Sequence, residues 1–396
     1  MAAETRAPGA SEKPGAARAS QPGGFLSLIR GIAWMIFFTA CCLTINFTQV
    51  LGTPLYLISK DWYYAYMAMT KRSLGLTLAF MTQIWSPNTV RISGDASVAG
   101  EIEPTEDGGV RFNFPERTIL FANHQIDTDW LYLWWIAYAN RPSMHGHIYI
   151  ILKETLKWLP FLGWGMQFFS FIFLARKMAT DRDRLAYRLN KLKREHVDPR
   201  GNKYMEPMWL LLFPEGTNAS SNTRKRSVAY ANKMGLKDPD HMLLPRSTGI
   251  YFCLKELEGT VEYIYDATVA YEGIPRGKYG EDFFTLHKTF VNGRGPKSIN
   301  FYWRRFRVAD LPLDDQEKFD VWLREQWYIK DALMDDYLTT GRFPPMEGKL
   351  DYVETIVRTR QPWEILQVFT VVGICSLIWH NLTKAWLTAG RLVGKQ

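Results

Sequence analysis

Thr118-Ile119-Leu120-Phe121-Ala122-Asn123-His124-Gln125-Ile126-Asp127-Thr128-Asp129-Trp130-Leu131 reads as a short apolar strand, a polar turn and the start of an aromatic-rich helix. That order, repeated, builds an α/β domain. Outward from it, the apolar runs at 148–152, 171–174 and 209–213 have the length and content of buried strands. Helical patterns separate them. Residues 181–196 place Leu185, Leu189 and Leu192 at helical spacing behind an aspartate, and residues 314–337 repeat this with Phe319, Leu323, Trp327 and Leu333. Residues 261–271 and 298–308 alternate like strands with one wet face, so the sheet is expected to be mixed. The predicted class is α/β, a mixed sheet flanked by helices, with N- and C-terminal membrane helices.

At 396 residues, 47% apolar and 14% aromatic, the chain is long enough for a full catalytic domain with attachments. Residues 1–24, rich in Ala, Gly, Pro and Ser, read as a disordered tail. Membrane segments are expected within 25–90, a catalytic domain over 91–345, and a C-terminal membrane helix and tail over 346–396. Residues 32–51 have the roughly 20-residue length that spans a bilayer. Gly52 and Pro54 interrupt the run, leaving a single span or a re-entrant hairpin open. Residues 73–87 suit an interfacial or packed helix. Residues 365–382 reach about the minimum crossing length, with Trp363, Trp379 and Trp386 as interfacial anchors. The formal net charge of +8, without any nucleic-acid-binding signature, favours an anionic lipid surface over nucleic acid. The four cysteines, Cys41, Cys42, Cys253 and Cys375, fit neither a disulfide framework nor a metal spacing, and His145 and His147 lack a third ligand. No metal is expected.

His124 sits at the strand-to-helix turn, where catalytic groups are commonly presented. Histidine is the side chain whose ordinary pKa lies near neutral, and a carboxylate can hold the ring in the useful tautomer. Asp129 is five residues on, an offset of about 140° if both lay in one helix. The two therefore meet only if His124 precedes the helix and Asp129 opens it; Asp127 competes by proximity. A second turn, Phe213-Pro214-Glu215-Gly216-Thr217, follows another apolar run. Its glycine lets backbone N–H groups approach an anion, and Thr217 can donate a hydrogen bond. Arg176 and Lys177 follow the apolar run at 159–174, and an arginine fork suits phosphate oxygens. Arg224-Lys225-Arg226 reads first as a solvated face.

Asn123-His124 followed by Asp129 resembles the His-x4-Asp motif of the glycerolipid (1-acylglycerol-phosphate) acyltransferase family, and Trp130 directly after it resembles the lysocardiolipin and lysophosphatidylinositol acyltransferase branch. Phe171-Ile172-Phe173-Leu174-Ala175-Arg176-Lys177 resembles the second block of that branch, Phe213-Pro214-Glu215-Gly216-Thr217-Asn218 the third, and Leu244-Pro245-Arg246-Ser247-Thr248-Gly249 the fourth. Tyr265-Asp266-Ala267-Thr268-Val269-Ala270-Tyr271 is a further stretch similar to the branch. The resemblance implies a membrane-bound acyl-CoA:lysophospholipid O-acyltransferase, integral to the membrane of the endoplasmic reticulum. It takes acyl-CoA as co-substrate and no bound cofactor. By that resemblance His124 and Asp129 are catalytic, and Asn123, Arg176, Glu215, Gly216, Thr217, Pro245 and Arg246 bind substrate. Asn218 stands where many phosphatidic-acid-forming members have arginine, which weighs against lysophosphatidic acid as acceptor. That activity stays the alternative. A lipid hydrolase lacks its usual G-x-S-x-G elbow here, and a non-catalytic lipid-binding protein leaves the His-Asp pair without a use.

Overall fold

The computed structural model describes residues 24–175, 177–198, 200–346 and 352–393; residues 1–23 of the expected tail, and Arg176, lie outside the described residues. The strands are β1 (Thr89–Gly94), β2 (Ile102–Pro104), β3 (Val110–Phe112), β4 (Arg117–Ala122), β5 (Ile148–Lys153) and β6 (Ile172–Leu174). They continue as β7 (Glu195–Val197), β8 (Lys203–Met205), β9 (Met208–Leu212), β10 (Tyr263–Tyr271), β11 (Ser298–Arg307) and β12 (Val353–Ile356). Among the described residues, eight of them form one sheet in the order β12-β1-β11-β10-β4-β9-β5-β6, while β2–β3 and β7–β8 are separate ribbons. From β10 to β6 every neighbour is parallel. β11 is antiparallel to β10 and parallel to β1, and β12 is antiparallel to β1.

The two-residue period of the central strands sorts their side chains into two cores. Ile119, Phe121, Leu210 and Leu212 face one side, against Leu185, Ile250, Leu254, Phe319 and Trp327 of the helices Met178–Leu192, Ser247–Leu257 and Gln316–Thr340. Leu120, Ala122, Trp209 and Leu211 face the other, with Leu74, Leu78 and Trp134 of the helices Lys60–Trp85 and Asp129–Ala139. The expected wet face on 261–271 and 298–308 is corrected: β10 is buried from Ile264 to Tyr271. Both strands lie inside the sheet, and their polar residues Asp266, Thr268, Asn300 and Arg304 are buried as well. The alternation therefore reflects polar groups packed inside, not a solvated side.

Local chemistry sets the helix limits. Asp315 accepts from Glu317 N at 2.8 Å and Lys318 N at 3.3 Å to open Gln316–Thr340, and Gly341 at φ +78° ends it. Asp181 lies in the first turn of Met178–Leu192 and accepts from Ala175 N at 3.0 Å and Lys177 N at 2.8 Å.

The helix Gly24–Leu51 buries one stripe, Trp34, Cys41, Cys42, Ile45, Thr48 and Gln49. After the turn at Gly52 the chain folds back into Lys60–Trp85, so the interruption makes a helical hairpin rather than a single rod. Gly52 permits the return, since a Cβ there would lie 2.3 Å from the Tyr66 ring. Residues 73–85 belong to the returning helix and pack into the domain, with Leu74, Leu76 and Leu78 buried. Two stretches among the described residues are long and apolar enough to cross a membrane, Gly24–Ile58 (35 residues) and Pro362–Thr388 (27 residues).

Candidate active site

Because β4 and β9 are adjacent and parallel, the turns that follow them emerge side by side at one edge of the sheet, the usual place for ligands in an open α/β fold. The first turn starts at Asn123, where the ladder with β10 runs out. Its amide prolongs the ladder: Nδ2 donates to Val269 O at 2.9 Å, and Val269 N donates to Oδ1 at 2.7 Å. Asn123 is wholly buried, so it acts as a staple between strands and not as the substrate contact expected of it.

His124 lies in the turn and Asp129 is the first residue of the helix Asp129–Ala139, the arrangement that lets the pair meet. Nδ1 of His124 is 2.8 Å from Asp129 Oδ2; the histidine side chain is 20% exposed and the carboxylate 1%. Asp127 is exposed and turned away, its Oδ1 3.4 Å from Asn218 Nδ2, so proximity in sequence loses to helix geometry. Asp129 also accepts from Gln125 N at 2.7 Å and Ile126 N at 3.1 Å, and the Tyr271 hydroxyl donates to its other oxygen. In a neutral ring, a carboxylate that accepts Nδ1–H leaves Nε2 as the acceptor nitrogen.

The second turn grips the first. The Phe213 ring stacks on the His124 ring with centroids 4.4 Å apart, and Ala219 N donates to His124 O at 2.9 Å. Glu215, 2% exposed, accepts from His124 N at 2.9 Å through one oxygen and from Leu243 N at 3.2 Å through the other. Its carboxylate therefore faces the protein. It ties the histidine turn to the loop carrying Leu243, Leu244 and Pro245, in place of the substrate contact expected of it. Gly216 N donates to Phe213 O at 2.8 Å, closing a turn with Pro214 second and Gly216 fourth, and Gly216 takes φ +73°. Gly216 faces Arg246, whose Cδ would be 3.4 Å from a Cβ placed there. Arg246 N donates to Pro214 O at 2.8 Å, while its side chain is exposed and its guanidinium has no hydrogen-bond partner among the described residues. Gly216, Thr217, Pro245 and Arg246 are thus brought together beside the dyad. Arg224 is not part of it: it pairs with Asp238 at 2.7 Å and donates to Asp240 O at 3.2 Å.

Two groups escaped the sequence reading. Tyr271 is one, visible only as the last residue of a strand whose register the Asn123 staple sets. Burial, followed by the charge of Asp129, pushes its phenol well above the ordinary value, so it remains a donor to that carboxylate. The other is Lys330, fully buried on Gln316–Thr340, which reaches Asp266 and donates to Ala267 O at 2.7 Å. Asp266 also pairs with Arg304 at 2.7 Å, so β10, β11 and that helix meet on one carboxylate. Burial lowers Lys330 to about 8 despite the opposing pull of Asp266.

Burial raises Glu215 to about 7 against the downward pull of its two amide bonds. A carboxyl that keeps its proton to about 7 when folded, but only to about 4.5 when unfolded, stabilises the fold most below pH 4.5 and loses that contribution as pH rises through 7. Stability should therefore fall between these limits by at most about 1.4 kcal/mol per pH unit from this group. Denaturant midpoints taken at intervals across that window should show a shallower slope for Glu215→Gln; an unchanged slope would contradict the assignment.

A family model described as Acyltransferase matches residues 110–272, and one described as Acyltransferase C-terminus matches 289–371. The chain is 36% identical over 347 residues to an uncharacterized acyltransferase of Schizosaccharomyces pombe, covering 88% of this chain and 95% of that protein. It is 33% identical over 343 residues to the 2-acyl-1-lysophosphatidylinositol acyltransferase of Saccharomyces cerevisiae, covering 80% and 86%. It is 30% identical over 354 residues to lysocardiolipin acyltransferase 1 of Gallus gallus, covering 86% and 82%. The matched segment holds both turns and the strands that present them, and on these grounds the chain belongs to the glycerolipid acyltransferase family and is an acyltransferase enzyme.

Proposed function

We propose that this acyltransferase transfers an acyl chain from acyl-CoA to a glycerol hydroxyl of an anionic lysophospholipid, with lysophosphatidylinositol as the favoured acceptor, at a membrane surface. The observation that carries the reading is the His124–Asp129 pair at 2.8 Å, opening to solvent on the histidine side only. Nε2 removes the hydroxyl proton as the oxygen attacks the thioester carbonyl; the tetrahedral adduct collapses, breaking the carbon–sulfur bond, and the imidazolium returns the proton to the departing sulfur. Asp129 stabilises the imidazolium, Phe213 stacks on the ring, and Glu215 holds the His124 backbone N–H. Arg246, exposed beside the glycine turn, supplies a cation for the headgroup phosphate.

Charge around Asn218 supports the choice of acceptor. Its Nδ2 is 2.9 Å from Glu281 Oε2 and 3.4 Å from Asp127 Oδ1, so the position after Gly216-Thr217 is bordered by two carboxylates. Such a border repels the second charge of a phosphomonoester, whereas the hydroxyls of a polyol headgroup can donate to it. Among relatives, one is called a 2-acyl-1-lysophosphatidylinositol acyltransferase and another a lysocardiolipin acyltransferase, while others are called 1-acyl-sn-glycerol-3-phosphate acyltransferases, the alternative activity. Membrane placement is supported by the apolar stretches Gly24–Ile58 and Pro362–Thr388, whose side chains are mostly uncovered. Purified protein given a mixture of lysolipids and acyl-CoAs should convert lysophosphatidylinositol in preference to lysophosphatidic acid, read by mass spectrometry of the products. Preference for lysophosphatidic acid would transfer the assignment to phosphatidic acid synthesis.

A further inference from the structure

We propose that residues 158–164 form a third bilayer contact, an aromatic wedge that enters the headgroup region of an anionic leaflet beside the N-terminal helical hairpin; this rests on the membrane-bound lysolipid reading above. β5 runs parallel to β9, and β9 to β4, so the turn after β5 emerges at the same sheet edge as His124, two strands or about 10 Å along. Four large apolar side chains are uncovered there within seven residues: Trp158 at 69%, Leu159 at 43%, Phe161 at 36% and Trp164 at 47%. Scattered single apolar residues are ordinary on a protein surface, but a contiguous cluster is not. Phe161 holds φ +63°, an unfavourable conformation for a residue with a Cβ, and its ring packs edge-on against Trp164 at 5.3 Å. Gly163 sits so close beneath that a Cβ would lie 2.6 Å from Leu156 O, so the helix Leu162–Phe168 is pressed against the preceding turn and presents the rings on a firm base.

Continuity with the hairpin identifies the occupant as lipid. Asn46 Nδ2 donates to Phe161 O at 2.8 Å and Gln49 Nε2 to Gly165 O at 3.3 Å, both from the helix Gly24–Leu51. That helix leaves Leu43, Phe47, Val50 and Leu51 uncovered, so helix and wedge expose their apolar groups as neighbours. At the base of the wedge Lys157, whose Nζ lies 5.2 Å from the Trp158 ring centroid, and Arg184 share Glu154 at 2.7 and 3.1 Å, two cations on one carboxylate. Tryptophan beside lysine and arginine is the composition that settles at a lipid headgroup boundary. A lysolipid held there reaches the sheet edge without leaving the interface.

The full chain carrying Cys375→Ser keeps three cysteines, Cys41, Cys42 and Cys253, all buried, so a thiol introduced by Trp158→Cys or Trp164→Cys is selectively labelled with a fluorophore. In vesicles of phosphatidylcholine and phosphatidylserine, a headgroup-level spin-labelled lipid should quench the label and aqueous iodide should not. Quenching by iodide alone overturns the proposal and leaves a soluble protein partner as the occupant. The triple variant Trp158→Ala, Phe161→Ala, Trp164→Ala should lose about tenfold in kcat/KM on long-chain lysophosphatidylinositol embedded in vesicles, and stay near wild type on a short-chain, monomeric analogue. Equal loss on both, or no loss on either, overturns it. If the wild-type protein acylates no lysolipid, the functional reading fails while the quenching still decides the wedge.

Discussion

His124→Ala is expected to lower acyl transfer by roughly 10³-fold or more while the protein remains folded, because general-base removal costs that much and the ring makes few structural contacts beyond Phe213. Asp129 behaves differently. Its carboxylate accepts from His124, Gln125 N, Ile126 N and Tyr271, and it is 1% exposed, so Asp129→Ala strands several donors in the interior. Each stranded donor costs about 1–3 kcal/mol, and the variant should lose fold stability as well as turnover. Asp129→Asn separates the two effects. With its oxygen toward Nδ1, Gln125 N and Ile126 N and its NH2 toward the Tyr271 hydroxyl, which can accept, the asparagine keeps those bonds but removes the charge that stabilises the imidazolium, so transfer should fall by about 10²-fold with a far smaller loss of stability. Initial rates with saturating acyl-CoA, alongside thermal midpoints of the same detergent preparations, distinguish the cases. Turnover retained in both His124→Ala and Asp129→Asn would reject the mechanism.

Asp266→Ala should produce the largest loss of stability, about 3–5 kcal/mol, since it leaves Lys330 and Arg304 buried with no counter-charge. Lys330→Met should cost less, because Arg304 still pairs with Asp266 at 2.7 Å and the methionine fills the space without a charge. The difference matters to the site. Asp266 lies on β10 ahead of Val269, which the Asn123 amide clamps, and of Tyr271, which holds Asp129. Denaturant unfolding of the two variants, followed by tryptophan fluorescence, should rank them in that order; the reverse ranking would mean that the lysine, and not the carboxylate, is the member the fold depends on.

Much of the architecture is legible without coordinates because the buried strands are short, apolar and bounded by polar turns. The runs at 118–122, 148–152 and 209–213 became β4, β5 and β9 within a residue or two. The failure at 261–271 has a definite cause. A strand whose polar residues pair inside the protein has the same alternation as one with a wet face, and only the position of β10 between β11 and β4 separates the two cases. The site shows the same division. His124 and Asp129 stand out by residue type and spacing, whereas Tyr271 and Lys330 are ordinary strand and helix residues until the sheet order brings them within reach.

The chain's order of residues was sufficient to specify a strand, a turn and a helix around His124, an apolar stretch near each end, and a glycine turn fit for an anion, because these depend on local periodicity and residue chemistry. Which carboxylate faces the imidazole, which face of Glu215 is used and which strands are covered on both sides were decided by long-range pairing. The turns after β4 and β9 lie 91 positions apart at His124 and Glu215 and touch only because their strands are hydrogen-bonded neighbours. No periodicity within either segment carries that information.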